Sequence, residues 1–175
     1  MFAFQKYISV RKQHDLFLLT GANMGQRYQN LTVAAQKLTT QLGELVASSA
    51  IYETAAWGSG SALAYLNQAL WLRTSAEPLE VLAIALQIEK EAGRERTGLW
   101  ADRTLDIDIL LYDQLVLTEV QLQIPHPQLQ NRSFALVPLA EIAGDYNHPV
   151  FEKTITALRN SCPDTLAVKR WEDNL

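Results

Sequence analysis

Apolar and polar positions follow two periods along this chain, and the order in which they alternate predicts the secondary structure. Short apolar, β-branched or aromatic segments are typical of strands, whereas apolar residues spaced by three or four positions are typical of helices. Strands are predicted at residues 16–20, 45–54, 65–74 and 104–112, and helices at 27–42, 78–92, 134–142 and 151–160. Gly43 and Gly93 follow the first two helices, Pro78 opens the second, and residues 94–103 and 120–132 are left as loops.

The order of these elements predicts an α+β fold. Strands 45–54 and 65–74 follow one another without a helix, so we expect them to pair antiparallel. Two helical crossovers around them fit a split β-α-β arrangement, the ferredoxin-like plan in which helices pack against an antiparallel sheet. We expect one domain over residues 16–175, preceded by an N-terminal extension, residues 1–15, whose structure the pattern does not predict.

The amino-acid composition does not change the predicted fold, but it excludes some classes of function. The chain has 175 residues, of which 48% are hydrophobic and 19% charged, so it is typical of a globular protein rather than a disordered one. A single cysteine, Cys162, excludes an internal disulfide, and no apolar run approaches the ~18–20 residues that cross a bilayer. The net charge of −4 disfavours nucleic-acid binding. We therefore expect a soluble, cytoplasmic monomer that binds small molecules, with neither nucleic acid nor membrane as a partner.

Two aspartates inside the last predicted strand are the sharpest candidate for chemistry. Because side chains alternate along a strand, Asp106 and Asp108 share one face, roughly 7 Å apart. The opposite face carries Leu105, Ile107 and Ile109. Two like charges this close repel each other, and Mg²⁺, which prefers oxygen ligands, would compensate them. The alternative is an exposed polar face on an edge strand, and the Asp-x-Asp spacing alone does not decide between the two.

Three arginines in the preceding loop favour the metal interpretation. Arg94, Arg96 and Arg103 fall within ten residues, directly before the aspartates. A guanidinium binds phosphate through two parallel hydrogen bonds, so this cluster beside metal-binding carboxylates suits a nucleoside triphosphate. The alternative is a solvated charged loop in which Glu95 and Asp102 pair with the arginines.

Other residues are weaker candidates when each is taken alone. His126 lies between two prolines, which would hold an imidazole in place for a phosphate, although a surface histidine is the simpler interpretation. Asn67 interrupts an apolar strand, so its amide either makes structural hydrogen bonds or reads a polar heterocycle. Tyr65 and Phe134 are aromatic residues near loops, where core packing is the default. The turn at 21–25, GANMG, lacks a complete phosphate-binding motif.

Five segments, in order, resemble the 6-hydroxymethyl-7,8-dihydropterin pyrophosphokinase (HPPK) family. The longest, IEKEAGRERTGLWADRTLDIDILLYD at 88–113, resembles a signature centred on Arg-Trp-Gly-Pro-Arg-Thr-Leu-Asp-Leu-Asp-Ile-Leu. The other four are GANMG at 21–25, SSAIYETAAWG at 48–58, YLNQAL at 65–70 and IPHPQLQNRSFALVPLAEIAGD at 124–145. The similarity spans about residues 16–145, and chance agreement across five ordered segments is remote.

The resemblance implies a reaction, its cofactors and its site residues. The family transfers the terminal pyrophosphoryl group of ATP to the hydroxymethyl group of a reduced pterin, releases AMP, uses two Mg²⁺ ions and has a ferredoxin-like fold. Matched position by position, the implied metal ligands are Asp106 and Asp108. The implied ATP contacts are Glu89, Arg94, Arg103, His126 and Arg132, and the implied catalytic residues of the loop are Arg94, Arg96, Trp100 and Arg103. The implied pterin pocket consists of Thr54, Trp57, Tyr65, Asn67 and Phe134.

The chain departs from the family pattern on both sides of this implied site. Residues 55–56, both alanine, occupy the stretch where the family has a proline, and Trp57 stands where a smaller apolar residue is common. In the signature, Leu99 replaces an arginine, and Ala-Asp at 101–102 replaces Gly-Pro. The catalytic loop therefore loses a cation and gains an acid.

Two other classes of function stay open at this point. Some nucleotidyltransferases also carry Asp-x-Asp on a strand, but they release pyrophosphate rather than AMP. A non-catalytic binding module would bind a pterin or ATP and form no product. Ferredoxin-like folds also serve as RNA-binding modules, but the negative net charge argues against that function here.

Overall fold

The computed structural model describes residues 12–55, 63–93 and 102–172, which form a six-stranded sheet, a small two-stranded sheet and four α-helices. The strands are β1 (His14–Ala22), β2 (Gly43–Ser48), β3 (Tyr52–Thr54), β4 (Tyr65–Thr74), β5 (Asp106–Tyr112), β6 (Leu117–Thr118), β7 (Gln123–Ile124) and β8 (Val168–Arg170). The helices are α1 (Arg27–Leu42), α2 (Pro78–Glu91), α3 (Ser133–Ala143) and α4 (Ile155–Asn160), and a 3-10 turn at Leu129–Asn131 precedes α3.

The large sheet has the strand order β5-β1-β4-β3-β8, and β2 also pairs with β4. All of its pairings are antiparallel. Helix α1 connects β1 to β2, and α2 connects β4 to β5, so each helix crosses over a neighbouring strand. This is the ferredoxin-like α+β fold that the sequence predicts, with β6 and β7 forming the separate pair.

Helices cover both faces of the sheet, and this gives the molecule two apolar cores. One core joins α1 and α2 to residues such as Leu16 and Leu18 of β1. The other joins α3 and α4 to Phe17 and Leu19 of the same strand. Because successive strand residues point to opposite faces, a strand that is buried on both sides needs a continuous apolar run, as LFLL in β1 provides.

The ends of the first two helices follow local signals. Gly43 ends α1 and begins β2, with φ at 137°, a value that few residues other than glycine adopt. A Cβ atom there would lie 2.3 Å from the Arg73 carbonyl oxygen, so no side chain fits. Pro78 is the first residue of α2, and the side chain of Glu80 accepts a hydrogen bond from the N–H of Glu77 at 2.8 Å.

Helix α1 and strand β4 have their predicted bounds, but the predicted strand 45–54 is two strands. Ser49 interrupts it: its N–H donates to the Ala69 carbonyl, while its Oγ accepts the N–H of Ala69 at 3.0 Å. A side-chain oxygen therefore takes the place of a backbone acceptor in the ladder. The predicted strands 16–20 and 104–112 are observed as β1 and β5, with bounds shifted by two residues at three of their four ends.

The C-terminal part differs more from its prediction. The predicted helix 151–160 begins only at Ile155, because Thr154 acts as its N-cap and accepts the N–H of Ala157. Strand β8 was not predicted; it is three residues long and pairs with the edge of β3. Within the described ranges, no helix is long and apolar enough to span a bilayer, and the longest, α1, has 16 residues.

Candidate active site

The two aspartates of β5 lie on the sheet face that α3 covers. Asp106 is opposite Gly21 in the pairing with β1, and Asp108 is opposite Leu19, which belongs to the core of α3. Their neighbours Leu105, Ile107 and Ile109 belong to the core of α1 and α2. The predicted division of this strand into an acidic and an apolar face is therefore confirmed.

Each aspartate has an arginine that approaches its carboxylate from outside β5. The Arg103 guanidinium contacts the Asp106 carboxylate from the segment before β5. Arg132, directly before α3, brings Nη1 to 3.5 Å from Oδ2 of Asp108. Two of the arginines that the sequence predicts for phosphate binding therefore meet at the two aspartates.

Burial and a neighbouring like charge disfavour the ionised form of Asp108. Loss of hydration, followed by repulsion from the Asp106 carboxylate, raises the pKa of Asp108 to about 6. Arg132 and Arg103 oppose this rise but do not cancel it. Two carboxylates on one face also supply the oxygen ligands that Mg²⁺ prefers.

His126 lies beside the same centre. Its N–H donates to the Leu110 carbonyl at 2.9 Å, which holds the segment after β7 against β5. Nδ1 accepts the N–H of Gln128 at 3.1 Å, and Nε2 lies 3.3 Å from Nη1 of Arg132. Burial, and then the positive charge of Arg132, lowers the pKa of His126 to about 4, so the ring is neutral at pH 7.

A cavity of about 250 Å³ opens next to the aspartates. Asp108 and His126 line one part of it, and Leu82 of α2 and Ile109 of β5 line another. The segment 120–123 completes the wall. The sequence predicted an ordered loop at 120–132, but it did not predict that Leu82 and residues 120–123 line a cavity. Only the folded chain brings α2 next to this segment.

Glu89, for which the resemblance implies an ATP contact, forms a hydrogen bond within the fold. Its side chain is buried, and Oε1 accepts the N–H of Ile107 at 2.8 Å. This hydrogen bond aligns the strand that carries the aspartates, and the charge of Glu89 also contributes to the raised pKa of Asp108. A direct contact between Glu89 and ATP stays a prediction.

The predicted pterin residues Asn67, Thr54 and Tyr65 gather on the other side of β1. Nδ2 of Asn67 donates to Oγ1 of Thr54 at 2.9 Å, and both side chains are buried. Gly21 pairs with Asn67 on one side and with Asp106 on the other. A Cβ atom on Gly21 would approach Oδ1 of Asn67 to 3.1 Å, so a side chain at this position would crowd the Asn67 amide.

Phe134 is the predicted pterin residue that comes from another element. It is the second residue of α3, and the Arg132 guanidinium carbon lies 5.6 Å from the centre of its ring. The remaining predicted site residues, Trp57, Arg94, Arg96 and Trp100, lie outside the described residues. Their roles stay predictions.

The sequence comparison decides the family. The family model described as 7,8-dihydro-6-hydroxymethylpterin-pyrophosphokinase (HPPK) matches residues 17–144. This chain belongs to the HPPK family. The resemblance inferred from five ordered segments is thereby confirmed.

Curated relatives and solved HPPK structures agree with this assignment. A 2-amino-4-hydroxy-6-hydroxymethyldihydropteridine pyrophosphokinase of Aquifex aeolicus is 38% identical over 140 residues, 80% of this chain and 87% of the relative. The protein of that name from Synechocystis is 40% identical over 146 residues, 83% of this chain and 74% of the relative. The crystal structure of Plasmodium falciparum HPPK-DHPS wild type with pteroate matches with a TM-score of 0.70 at 16% identity. The match covers 86% of this chain but only 42% of that protein, and at this identity it concerns the fold alone.

Sequence reasoning missed Asn23, which follows β1 in the HPPK-like segment GANMG. Its side chain is buried and forms hydrogen bonds with both Asp102 and Arg103. The available signal was a polar residue capable of both donating and accepting, placed directly after a buried strand. The sequence alone shows this segment only as a turn without a complete phosphate-binding motif, because the partners of Asn23 lie about 80 positions away.

Sequence reasoning also missed Asp164, which lies beyond the range of the HPPK match. Its Oδ2 accepts the N–H of Ser133 at 3.0 Å and the hydroxyl of Ser133 at 2.7 Å. Ser133 stands between Arg132 and Phe134, so this contact fixes the start of α3 where both site residues leave the backbone. No motif marks Asp164, because its role depends on a long-range contact.

Proposed function

We propose that this chain transfers the terminal pyrophosphoryl group of ATP to the hydroxymethyl group of 6-hydroxymethyl-7,8-dihydropterin, a step of folate biosynthesis that releases AMP. One observation carries the proposal: Asn67, Gly21 and Asp106 form a row across three adjacent strands. Strands lie about 4.8 Å apart, so the amide and the carboxylate face the same open floor roughly 10 Å from each other. A group that reads a heterocycle and a group that binds charge thus stand at the two ends of one site.

The residues at the acidic end fit magnesium. The described part of the chain contains no cluster of three or more His, Cys, Asp or Glu residues that could hold a metal by itself. Asp106 and Asp108 supply carboxylate oxygens only, and Mg²⁺ usually takes one or two carboxylates and completes its shell with water and substrate phosphates. Such ions supply charge neutralisation at the phosphate oxygens. We expect two of them with ATP.

The cavity suits part of the nucleotide. Its volume of about 250 Å³ is below the ~300–1,000 Å³ of typical small-molecule pockets, so ATP would extend beyond it. Leu82 and Ile109 offer apolar surface to a flat base, whereas Asp108 and His126 mark the polar end. We infer that the base enters the cavity and that the phosphates lie along the aspartates.

Arg103, Arg132 and His126 would receive the phosphate charge. With Nδ1 of His126 accepting the Gln128 N–H, we expect the neutral ring to turn an Nε2 proton, beside the Arg132 guanidinium, toward a bound phosphate oxygen. Two neighbouring donors suit a phosphate oxygen, which accepts from both. Arg103 supplies a second guanidinium at Asp106.

The reaction needs no nucleophile from the protein. The hydroxyl oxygen of the pterin attacks the β-phosphorus of ATP, the bond from that phosphorus to the oxygen it shares with the α-phosphate breaks, and AMP leaves with that oxygen. The hydroxyl proton passes to solvent. The protein contributes by aligning the two substrates and by balancing the charge that develops on the phosphate oxygens.

The pterin would occupy the Asn67 end of the floor. A pterin is a flat ring with a polar edge, and it needs an amide for the edge and aromatic surface for the faces. Asn67, held by Thr54, would supply the amide, and Tyr65 and Phe134 would supply the aromatic surface. In this proposal Trp57 lines the same pocket.

The test is a product assay with ATP, Mg²⁺ and 6-hydroxymethyl-7,8-dihydropterin. We expect AMP and the pterin diphosphate in equal amounts. Asp106→Asn should lower kcat about a thousandfold, because metal and charge stabilisation contribute several kcal/mol. Asp145→Asn, the same change at an exposed position of the described chain, should leave kcat within about twofold. Release of pyrophosphate instead of AMP would indicate a nucleotidyltransferase, and tight binding without product would indicate a binding module.

A further inference from the structure

Asn23 and its partners form a compact set of hydrogen bonds around Arg103. Nδ2 of Asn23 donates to Oδ1 of Asp102 at 2.6 Å, and Oδ1 of Asn23 accepts the N–H of Arg103 at 2.6 Å. The backbone N–H groups of Asn23 and Met24 both donate to the Arg103 carbonyl, at 3.0 and 3.2 Å. The turn after β1 therefore holds Arg103 at its N–H and at its carbonyl.

A second side-chain amide holds the backbone of the residue after Arg103. Nδ2 of Asn30, in α1, donates to the Thr104 carbonyl at 2.8 Å. The backbone from Asp102 to Thr104 is thus fastened to the first strand-helix connection of the fold. Only the side-chain torsions of Arg103 remain to be set, and its guanidinium meets the Asp106 carboxylate.

Asp102 is a departure of this chain from the family signature, which has a proline at this place. A proline side chain accepts no hydrogen bond, whereas the Asp102 carboxylate accepts one from a buried amide. A buried amide that lost this acceptor would leave a donor without a partner, at a cost of about 1–3 kcal/mol. The extra acid is therefore engaged with Asn23, on the turn after β1.

We propose that Asn23 and Asp102 are positioning residues that hold Arg103 against the Asp106 carboxylate. The inference rests on the proposed function, because Arg103 is there a phosphate-neutralising group. Holding its backbone in place before ATP binds removes part of the ordering cost that a free arginine would have at each turnover. Neither residue needs to touch a substrate for this effect.

A charge swap tests the pair directly. Asn23→Asp keeps an acceptor for the Arg103 N–H but sets a carboxylate against the Asp102 carboxylate, so we expect kcat to fall at least tenfold. Adding Asp102→Asn restores a donor and an acceptor in the reverse sense, and kcat should return to within about threefold of the starting protein. Asp102→Asn alone keeps an acceptor for Asn23 and is the matched control, with an expected loss of less than threefold.

Two further readouts separate positioning from a general loss of stability. The KM for the pterin should stay within about twofold in all three variants, because the hydrogen bond between Asn67 and Thr54 involves neither Asn23 nor Asp102. In an Arg103→Ala background, Asn23→Asp should cause no additional loss of kcat if it acts through Arg103. A double variant no better than Asn23→Asp, or an equal further loss in the Arg103→Ala background, would overturn the proposal.

Hydrogen exchange at the Arg103 amide gives a measurement that does not need turnover. We expect this amide to be protected in the unmodified chain and in the double variant, and to exchange at least tenfold faster in Asn23→Ala, which removes its acceptor. If the unmodified chain released no AMP, the proposed function would fail while the protection pattern still reported on the Asn23–Asp102 pair. Equal exchange in Asn23→Ala and the unmodified chain would refute the pair itself.

Discussion

Strand β5 has two faces that serve different ends. The face with Ile107 and Ile109 packs into the core of α1 and α2, where neither side chain is more than 7% exposed. The face with Asp106 and Asp108 places two like charges side by side, and burial, followed by repulsion from Asp106, raises the pKa of Asp108 to about 6. Alternate residues of one strand thus contribute to stability and to chemistry, and the chemical face weakens the fold that the apolar face supports.

The largest expected effect comes from removing a charge on the chemical face. Asp108→Asn should lower turnover about a thousandfold, because it removes a metal ligand of the proposed function. The thermal midpoint at pH 7 should stay the same or rise. Folding raises the pKa of Asp108 from its ordinary 3.8 to about 6, so its ionisation destabilises the fold increasingly as the pH rises from about 4 to 6 and fully above pH 6.

Calorimetry at pH 7 and at pH 3 checks this prediction. The variant should differ from the unmodified chain most at pH 7 and least at pH 3, where Asp108 is mostly protonated in both the folded and the unfolded protein. A midpoint that fell by more than about 3 °C at pH 7 would contradict the division of β5 into two roles.

The second prediction changes the apolar face alone. Leu18 lies opposite Ile109 and has no exposed surface, so Leu18→Ala should reduce the free energy of unfolding by about 2–5 kcal/mol. Turnover per folded molecule should not change at 20 °C. Leu45→Ala on β2, where the side chain is 38% exposed, is the control and should cost less than about 1 kcal/mol. Denaturant titration gives the free energies of unfolding. A loss of kcat in Leu18→Ala would contradict the separate roles of the two faces of β5.

The third prediction concerns a titrating group far from the site. His148 is 2% exposed, and its Nδ1 accepts the N–H of Val150 at 3.2 Å. Burial lowers the pKa of His148 to about 4, below its ordinary 6.5, so its contribution to stability is full above pH 6.5 and is lost as the pH falls toward 4. Between pH 7 and pH 5 this loss amounts to about 2 kcal/mol.

His148→Asn keeps an acceptor near the position of Nδ1 and removes the titration. The variant should be less stable than the unmodified chain at pH 7, and the gap should shrink by about 2 kcal/mol at pH 5. Chemical unfolding at the two pH values measures the gap. A constant gap would show that protonation of His148 is not linked to folding.

The sequence pattern was sufficient to predict those features whose structure depends on neighbouring residues in the chain. The helix predicted near residues 27–42 is observed as Arg27–Leu42, because a regular apolar spacing ends at Gly43, where no side chain fits. The shared face of Asp106 and Asp108 followed from strand alternation alone. The break at Ser49 was not predictable, because it depends on a hydroxyl that meets the Ala69 N–H across the sheet.

Long-range contacts explain what the sequence did not reveal about the site. Arg132 was assigned through the family resemblance, but its approach to Asp108 depends on where α3 begins. Glu89 was expected to contact ATP, and the hydrogen bond to Ile107 emerged only with the fold. Strand β8 has three residues, too few for a period, and it exists through its pairing with β3.

The hydrogen bonds between Asp164 and Ser133 determine where a truncated form of this enzyme can end. A fragment ending at residue 144, the limit of the family match, would include Arg132 and Phe134 but lack the carboxylate that fastens the start of α3. It would also lack β8, which covers the edge of β3. The smallest transplantable unit therefore extends through β8, and chimeras joined to another protein should have their junction after Arg170.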